Sequence, residues 1–495
     1  MKKKRIVLSL VLSFVFISCL GVFFACKKKE DTFSFSKDLN SYHIEISQDG
    51  DRWTGKEKLS YTNRTGDALS SLKFHLYPKF FEEGGTSYVI AQTKMNEAYP
   101  NGIDYAKYDV LRVVVGDVDV DVKYSGEMSG VLVVEFSNKL LLGEMTNIEI
   151  DFSFELPVGE HRFGYGDNAI NLCNFYPIAC VYENGDFEEN PYHANGDPFY
   201  SEVANYNVIV TTDKNLIVAG TGNVAGETTN QDKKTTYFDA VAVRDFAIVL
   251  SENFEIVSKN AGDTLVSYYY YEDEYADVAL QAGVDAINTF SKLFGKYPYS
   301  TFNIVKTGFV HGGMEYPNLV LISDDISNLD DYLNVIVHET AHQWWYGVVG
   351  NDEYTYPWLD EALAEYSTCL FYDYNDGYNL NMKDMVNVCH ENYALFVSVY
   401  TDVLGSVDTS MRAVNLYATE PEYTYCTYVK GVLMFDSLEK LVGRAKFLKS
   451  LQNYYKNMQF LVSKPENLIN SFNLICKTNL NNFFESWTKG KVVVH

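Results

Sequence analysis

The sequence predicts an α+β fold with more than one domain, in which an antiparallel β region precedes a mainly helical region. The chain has 495 residues, which is more than one hydrophobic core usually organises. Apolar and polar residues alternate from about residue 42 to residue 257, as in Tyr42-His-Ile-Glu-Ile-Ser47, and this alternation is typical of half-buried strands. From Asp273 onward, apolar residues recur instead at helical spacing.

The first domain is predicted from short strands with no helical periodicity between them, separated by turn clusters such as Asp49-Gly50-Asp51. This pattern indicates an antiparallel β domain. A helix is expected from Asp273 to Leu293, and strands at Asn303–Val305 and Leu319–Ser323 precede helices that continue nearly to His495. The predicted domains are residues 41–257 and residues 258–495.

The N-terminus resembles a bacterial lipoprotein export signal. Residues 1–5 are basic, residues 6–25 are almost wholly apolar, and Cys26 is followed at once by a charged stretch. We therefore expect residues 1–26 to be the signal, Cys26 to carry the lipid, and residues 27–40 to form a tether to the bacterial membrane. The alternative is an uncleaved membrane anchor, because twenty apolar residues are just enough to span a bilayer. Either interpretation predicts that the bulk of the chain is extracytoplasmic.

The composition argues against a nucleic-acid partner and does not decide whether the cysteines form disulfides. There are 66 acidic residues against 40 basic ones, a formal net charge of -26. So acidic a surface repels phosphate backbones, and we expect no nucleic-acid partner. Six cysteines follow Cys26 without any Cys-x-x-Cys pair, so neither a zinc ribbon nor a thioredoxin-like site is indicated. Disulfides and ordinary buried thiols remain equal alternatives.

A metal site is predicted within the segment Val335-Ile-Val-His-Glu-Thr-Ala-His-Gln-Trp-Trp-Tyr346. On a helix, His338 and His342 lie one turn apart, so both imidazoles project from the same face and can share a metal ion. Glu339 lies on the adjoining flank, where it can act as a general base without being a ligand. A chance match to this short motif is the alternative, and the next segment argues against it.

The third ligand is expected in the segment Trp358-Leu-Asp-Glu-Ala-Leu-Ala-Glu-Tyr366, which follows a proline and is typical of a second helix. Glu361 follows His342 closely enough for this helix to pack against the first. Two histidines and one glutamate leave the fourth position of zinc for water, which is the arrangement of a catalytic metal. Glu365, one turn further on, could orient a ligand histidine or could be an ordinary solvated acid.

These two segments together resemble the aminopeptidase N-like gluzincins, a family of zinc metallopeptidases that includes leukotriene A4 hydrolase. Around the third ligand the family usually has Trp-Leu-Asn-Glu-Gly-Phe-Ala-Glu-Tyr, so Asp360 and Ala362 depart from the pattern while Glu361 is kept. The resemblance implies a thermolysin-like catalytic domain with one Zn²⁺ per chain.

A second motif, His311-Gly-Gly-Met-Glu-Tyr-Pro317, resembles the family's Gly-x-Met-Glu-Asn signature. The resemblance implies that this strand, with Gly312, Gly313 and Met314, lies beside the substrate and that Glu315 holds its free α-amine. A carboxylate paired with an ammonium group rejects blocked or internal peptide bonds. Tyr316 replaces the usual asparagine. A second amine-binding acid, which some members draw from the β domain, is not identifiable in the sequence.

A third motif, Tyr428-Val-Lys-Gly431, resembles the family's Tyr-x-Lys-Gly. It implies that Tyr428 stabilises the oxyanion of the tetrahedral intermediate. The resemblance extends over residues 40 to 440, and the long C-terminal helical domain of the larger members has no counterpart among the residues after Gly431.

The sequence therefore predicts an extracytoplasmic zinc aminopeptidase that removes N-terminal residues from peptides with a water that zinc activates. Zinc is expected on His338, His342 and Glu361, with Glu339 as the base. Two alternatives remain. One is a zinc endopeptidase with an open cleft, against which the retention of Glu315 counts. The other is a non-catalytic zinc-bearing binding lipoprotein, although such proteins usually lose the base or a ligand.

Overall fold

The structure is a computed structural model that describes residues 39–493. The predicted signal, the lipidation site at Cys26 and nearly all of the tether lie outside the described residues. Within residues 39–493, no helix is both long and apolar enough to cross a membrane. The six cysteines after Cys26 are all free thiols.

Strands dominate the first half of the chain. They are β1 (Ser41–Asp49), β2 (Arg52–Thr62), β3 (Leu69–His75), β4 (Lys107–Val115), β5 (Val118–Val120), β6 (Lys123–Ser125), β7 (Val131–Leu140), β8 (Met145–Glu155), β9 (Phe163–Tyr165), β10 (Ile170–Leu172), β11 (Ile178–Ala179), β12 (Tyr182–Glu183), β13 (Asp186–Phe187), β14 (Ala204–Asp213), β15 (Ile217–Gly220), β16 (Asn223–Asn230), β17 (Lys233–Val243) and β18 (Ile248–Ser251).

The second half combines a small sheet with helices. Its strands are β19 (Glu255–Ala261), β20 (Thr264–Tyr270), β21 (Thr301–Thr307), β22 (Gly313–Met314) and β23 (Leu319–Ser323). The helices of the described chain are α1 (Thr86–Val89), α2 (Met95–Ala98), α3 (Ala276–Leu293), α4 (Leu329–Ala341), α5 (Trp358–Tyr374), α6 (Met382–Leu404), α7 (Glu420–Thr424), α8 (Lys430–Val442), α9 (Arg444–Met458), α10 (Pro465–Cys476) and α11 (Asn481–Thr488).

The β region is built on an eight-stranded sheet in the order β16-β17-β14-β1-β2-β8-β4-β5. Residues along β14 alternate between buried and half-buried, as the period-two pattern predicts for a strand with one face in the core. A β-rich region followed by a helical region confirms the predicted α+β fold. The strands of the β region pair antiparallel, as predicted, except that β1 and β14 run parallel. That pair joins strands far apart in the chain, which local patterning does not reveal.

One part of the β region is not strand, contrary to the prediction. Residues 77–106 form short helical turns and loops, including α1, α2 and a 3-10 turn at Gln92–Lys94. These turns bring Val89 and Lys94 to the wall of the cavity described below. Strand periodicity missed them because they are shorter than the windows in which helical spacing can be recognised.

The small sheet has the order β19-β20-β21-β23-β22, so β22 is an edge strand. β20, β21 and β23 run parallel, whereas β22 runs antiparallel to β23. The predicted domain boundary between residues 257 and 258 falls inside β19 and stays a prediction, because all the described residues belong to one compact unit.

The buried side chain of Arg244 links the two regions through hydrogen bonds. The guanidinium of Arg244 is 1% exposed and donates hydrogen bonds to the carbonyl oxygens of Ser201 (2.7 Å), Tyr346 (2.8 Å) and Leu461 (2.7 Å). Its partners come from the β region, from the loop after α4 and from the turn between α9 and α10. These bonds satisfy buried carbonyl groups at a three-way junction, where an unpaired polar group would be costly.

Candidate active site

Two helices bring the three predicted metal ligands together. The side chain of Asn328 caps α4 by accepting a bond from the amide of Asp331, and α4 ends just before His342. The Nε2 atom of His342 lies 3.1 Å from Nε2 of His338 and 3.1 Å from Oε2 of Glu361 on α5. All three ligand atoms lie within 4.8 Å of one another.

In each of the two imidazoles, Nδ1 has a hydrogen-bond partner, and this leaves Nε2 available to bind a metal ion. Nδ1 of His338 donates to Oε2 of Glu365 at 3.1 Å, and Nδ1 of His342 donates to the carbonyl oxygen of Trp345 at 3.0 Å. With the proton on Nδ1, each Nε2 presents a lone pair. Two lone pairs and the carboxylate of Glu361 therefore converge on one point, and this donor set fits Zn²⁺.

Glu339 is adjacent to this trio without belonging to it. Its side chain is 5% exposed, and Oε2 has no hydrogen-bond partner among the described residues. Burial raises the pKa of Glu339 to about 7. The carboxylate packs directly against Gly313, where a built Cβ would overlap Oε1. Glu339 is thus held between α4 and the edge strand β22 with an oxygen free to take a proton.

Glu315 lies just beyond β22 and is 4% exposed. Burial raises its pKa well above the usual value. Among the described residues, Oε1 has no hydrogen-bond partner, although Nδ1 of His342 lies 4.0 Å away. A second acid, Asp197, has a carboxylate oxygen within 4.8 Å of those of Glu315 and Glu361. Two carboxylates that converge beside the metal ligands form a receptor for a positive group.

Asp197 is the site residue that the sequence interpretation missed. It lies in the loop between β13 and β14, in which Asn195 donates to the carbonyl oxygen of Tyr417 at 2.9 Å. The preceding Gly196 lies against the ring of Tyr423, where a Cβ would stand 2.6 Å from the hydroxyl. No local pattern in the segment Asn195–Glu202 shows that Asp197 faces Glu315, because that approach depends on how distant segments pack.

Arg162 holds Asp197 in place. Its Nη1 atom donates to Oδ1 of Asp197 at 2.6 Å, and the guanidinium is 5% exposed. The guanidinium carbon lies 5.1 Å from the ring centroid of Phe199 and 5.6 Å from that of Tyr192. Aromatic faces stabilise a buried cation. Arg162 is therefore a positive charge that is held in place and is already paired with Asp197.

Tyr428 lies on a single π-helical turn, Tyr425–Val429, just before α8. Such turns are frequent at functional sites because they displace one side chain from the regular helical surface. The hydroxyl of Tyr428 donates to Oε1 of Glu361. The rest of the motif is structural: Lys430 is buried and donates to the carbonyl oxygen of Trp487 at 2.7 Å. A Cβ at Gly431 would overlap Cβ of Ala362, so α8 and α5 touch at this pair.

The edge-strand motif divides into residues that face the cavity and residues that do not. Gly312 and Gly313 line the cavity, and Gly312 adopts a φ of +90°, a conformation that favours glycine. The side chain of Met314 is 1% exposed and contacts Arg162 through its sulfur at 3.1 Å. Tyr316 is fully buried, and its hydroxyl donates to Asn174 at 2.7 Å. Replacement of the family asparagine by Tyr316 therefore places a ring in the core.

A single cavity of about 380 Å³ connects these groups. Its volume is within the range of pockets that bind small ligands. It is walled by both regions of the chain and by many acids. The acids are Asp197, Glu315, Glu339, Glu361, Glu365 and Glu420.

Residues 278–487 match the sequence profile described as the peptidase family M1 domain. These residues form an M1 peptidase domain and include all three motifs, so the match confirms the resemblance to the aminopeptidase N-like gluzincins. The M1 family implies zinc.

Curated relatives are similar to this chain over part of their length. Aminopeptidase N of Rattus norvegicus is 28% identical over 246 residues, which cover 46% of this chain and 24% of that protein. Endoplasmic reticulum aminopeptidase 2 of Homo sapiens is 26% identical over 260 residues, covering 49% and 26% respectively. This chain thus spans about a quarter of the length of these relatives.

Solved structures share the fold of this chain over nearly its whole length. The M1 zinc metallopeptidase from Deinococcus radiodurans covers 93% of this chain and 97% of its own, with a TM-score of 0.64 and 16% identity. A mutant of that enzyme, solved with a Tyr-Ser-Ala substrate, matches with a TM-score of 0.63 and 16% identity over 93% of this chain and 98% of its own. The two-region architecture is therefore an M1 fold.

Proposed function

We propose that this protein is a zinc aminopeptidase that hydrolyses the first peptide bond of peptides with a free N-terminus. The observation that carries the proposal is the pair of carboxylates, Asp197 and Glu315, beside the metal ligands. An α-ammonium group bound between them would place the first peptide bond beside Glu339. A substrate without that positive charge would leave Oε1 of the buried Glu315 without a hydrogen-bond partner, which disfavours its binding.

Each residue of the site then has a distinct task. His338, His342 and Glu361 would hold one Zn²⁺ per chain, with Glu365 orienting His338. When bound, zinc polarises the scissile carbonyl and acidifies water. Glu339 takes the proton of the attacking water and delivers it to the departing amine, a task suited to a carboxyl group with a pKa of about 7. With substrate bound, the hydroxyl of Tyr428 would donate its one hydrogen bond to the oxygen that becomes negative, in place of Oε1 of Glu361.

A substrate panel tests this proposal. Wild-type protein is offered matched aminoacyl and peptide substrates with free and acetylated α-amines, with and without a chelator. We expect hydrolysis of the free substrates, little hydrolysis of the acetylated ones, and loss of activity with the chelator that zinc restores. Equal cleavage of free and acetylated peptides would instead favour the endopeptidase alternative.

The second alternative, a zinc-bearing binding lipoprotein, predicts that peptides bind and are not cleaved. The retention of Glu339, with a partner-free oxygen among the described residues, argues for catalysis, because a binding protein has no use for a base there. Absence of turnover on every free peptide, in protein shown to contain zinc, would support the binding role.

We also propose that the protein works outside the cytoplasm, tethered to the bacterial membrane by a lipid on Cys26. The proposal rests on the basic and apolar N-terminal segment and the charged stretch after Cys26. Cys26→Ser should release the protein from the membrane fraction or block its processing. A variant that stays membrane-bound with unchanged mass would favour the uncleaved anchor.

A further inference from the structure

A lysine of the β region, Lys94, also lines this cavity. Lys94 ends the 3-10 turn Gln92–Lys94, and its ammonium donates to the carbonyl oxygen of Val310 at 3.3 Å. The ammonium also lies 3.5 Å from Oε1 of Glu420, the first residue of α7. Lys94 and Glu420 are 29% and 25% exposed, so water reaches both groups.

The edge strand β22 indicates how a bound peptide would run relative to Lys94. β22 ends its sheet and lines the cavity, so an extended peptide can lie along its free side. The proposed function puts the peptide amine at Glu315, and the contact between Glu339 and Gly313 puts the reacting bond near Gly313. The remaining peptide must therefore continue toward Gly312 and the turn at Val310, where Lys94 lies.

The distance limits how many residues fit. Four residues lie between Val310 and Glu315, and the five steps along the chain span at most about 17 Å when fully extended. The turn before Gly312 shortens this segment. An extended peptide advances about 3.3 Å per residue. A peptide of three or four residues, about 10–13 Å long, therefore reaches from the amine site to the neighbourhood of Lys94.

The charged side chains of the cavity determine which terminal group of the peptide can bind near Lys94. Among the described residues that line the cavity, the lysine and arginine side chains are Lys94 and Arg162. Arg162 is buried and paired with Asp197, whereas the ammonium of Lys94 is partly exposed and its contact with Glu420 is long. The rest of the wall carries acids, which repel a carboxylate. A peptide C-terminus in this cavity thus has one available partner.

We propose that Lys94 forms a carboxylate-binding subsite that selects peptides of three or four residues with a free C-terminus. This inference rests on the proposed aminopeptidase function and adds to it a substrate class. The bound peptide is then held at both ends, its amine by Asp197 and Glu315 and its carboxylate by Lys94. Glu420 competes with the peptide for Lys94 and weakens the subsite.

Binding to the zinc-loaded full chain carrying Glu339→Gln tests the proposal without turnover. Trialanine and trialanine amide, which differ in one charge, are titrated by calorimetry. We expect trialanine to bind about tenfold more tightly than its amide, as is typical of a charge-assisted hydrogen bond. Adding Lys94→Met should abolish that preference, Lys94→Arg should keep it, and Glu420→Gln should increase it.

A matched control is Lys123→Met, which removes an exposed lysine paired with Glu135 outside the cavity and should leave the preference intact. Equal affinity for trialanine and its amide before Lys94 is changed would overturn the proposal. So would an equal loss of affinity for both peptides in Lys94→Met, because Lys94 would then only brace the cavity wall. Wild-type turnover of alanine anilide, which has no peptide carboxylate, tests the aminopeptidase function separately.

Discussion

Gly313 lies directly against the carboxylate of Glu339, with no room for a methyl group between them. The contact joins the edge strand β22 to the helix α4 at the point where the base must act. Because residue 313 is a glycine, the carboxylate of Glu339 can lie at its observed position, and space remains for the substrate.

Gly313→Ala should lower kcat/KM about 100-fold, because a displacement of about 1 Å is enough to cost that much when it moves a catalytic group. Zinc content should not change, since Glu339 is not a ligand. Steady-state kinetics and elemental analysis measure the two effects. Gly377→Ala is the control, because a Cβ there meets open space. Unchanged kinetics in Gly313→Ala would show that Glu339 is not positioned by this contact.

Glu339→Gln should reduce turnover of every substrate by at least about 100-fold, because a carboxamide cannot accept the proton of water. The variant should still bind one equivalent of zinc, since the trio of ligands is intact. Rapid kinetics and zinc analysis on the same sample check this. Glu361→Gln is the comparison that should lose metal as well as activity. Substantial turnover by Glu339→Gln would remove Glu339 from the mechanism.

Glu315→Ala and Asp197→Asn should each weaken discrimination between free and acetylated substrates. Removing one partner of a buried charge pair costs about 2–5 kcal/mol, so the ratio of kcat/KM values should fall at least about tenfold. Asp232→Asn is a matched control, because its side chain is 90% exposed and far from the cavity lining. If Asp197→Asn keeps the wild-type ratio, Glu315 alone recognises the amine.

Glu365→Gln should weaken zinc binding about 10–100-fold, the usual effect of losing the carboxylate behind a ligand histidine. The reason is that His338 loses the charged acceptor that holds its Nδ1 proton and its ring orientation. Competition with a chelator of known affinity measures the change. Glu391→Gln, on the exposed side of α6, should leave zinc affinity unchanged. Wild-type affinity in Glu365→Gln would mean that Glu365 is an ordinary solvated acid.

Several parts of the site could be predicted because their geometry is local. His338 and His342 share a helix face at any place in a protein where that segment is helical. The second helix begins after Pro357, so Glu361 and Glu365 fall on one face as well. The strand at Leu319–Ser323 and the end of the helix at Leu293 were also predicted at the observed residues.

The parts that could not be predicted depend on contacts between distant segments. Asp197, Arg162 and Lys94 all come from the β region, and none stands in a segment whose local pattern indicates chemistry. Their positions follow from how a loop and a 3-10 turn pack against the catalytic helices. Likewise, the parallel pairing of β1 with β14 joins segments separated by most of the β region.

The sequence by itself predicted the long helices, the candidate zinc ligands and the candidate base, because periodicity and one-turn spacing act over a few residues. Only the tertiary structure showed that the carboxylates of Asp197 and Glu315 converge beside those candidate ligands and that Lys94 lines the same cavity. The physical reason is that convergence of side chains from separate segments is a property of packing. Hydrophobic burial in the two regions and the Arg244 junction bring those segments together.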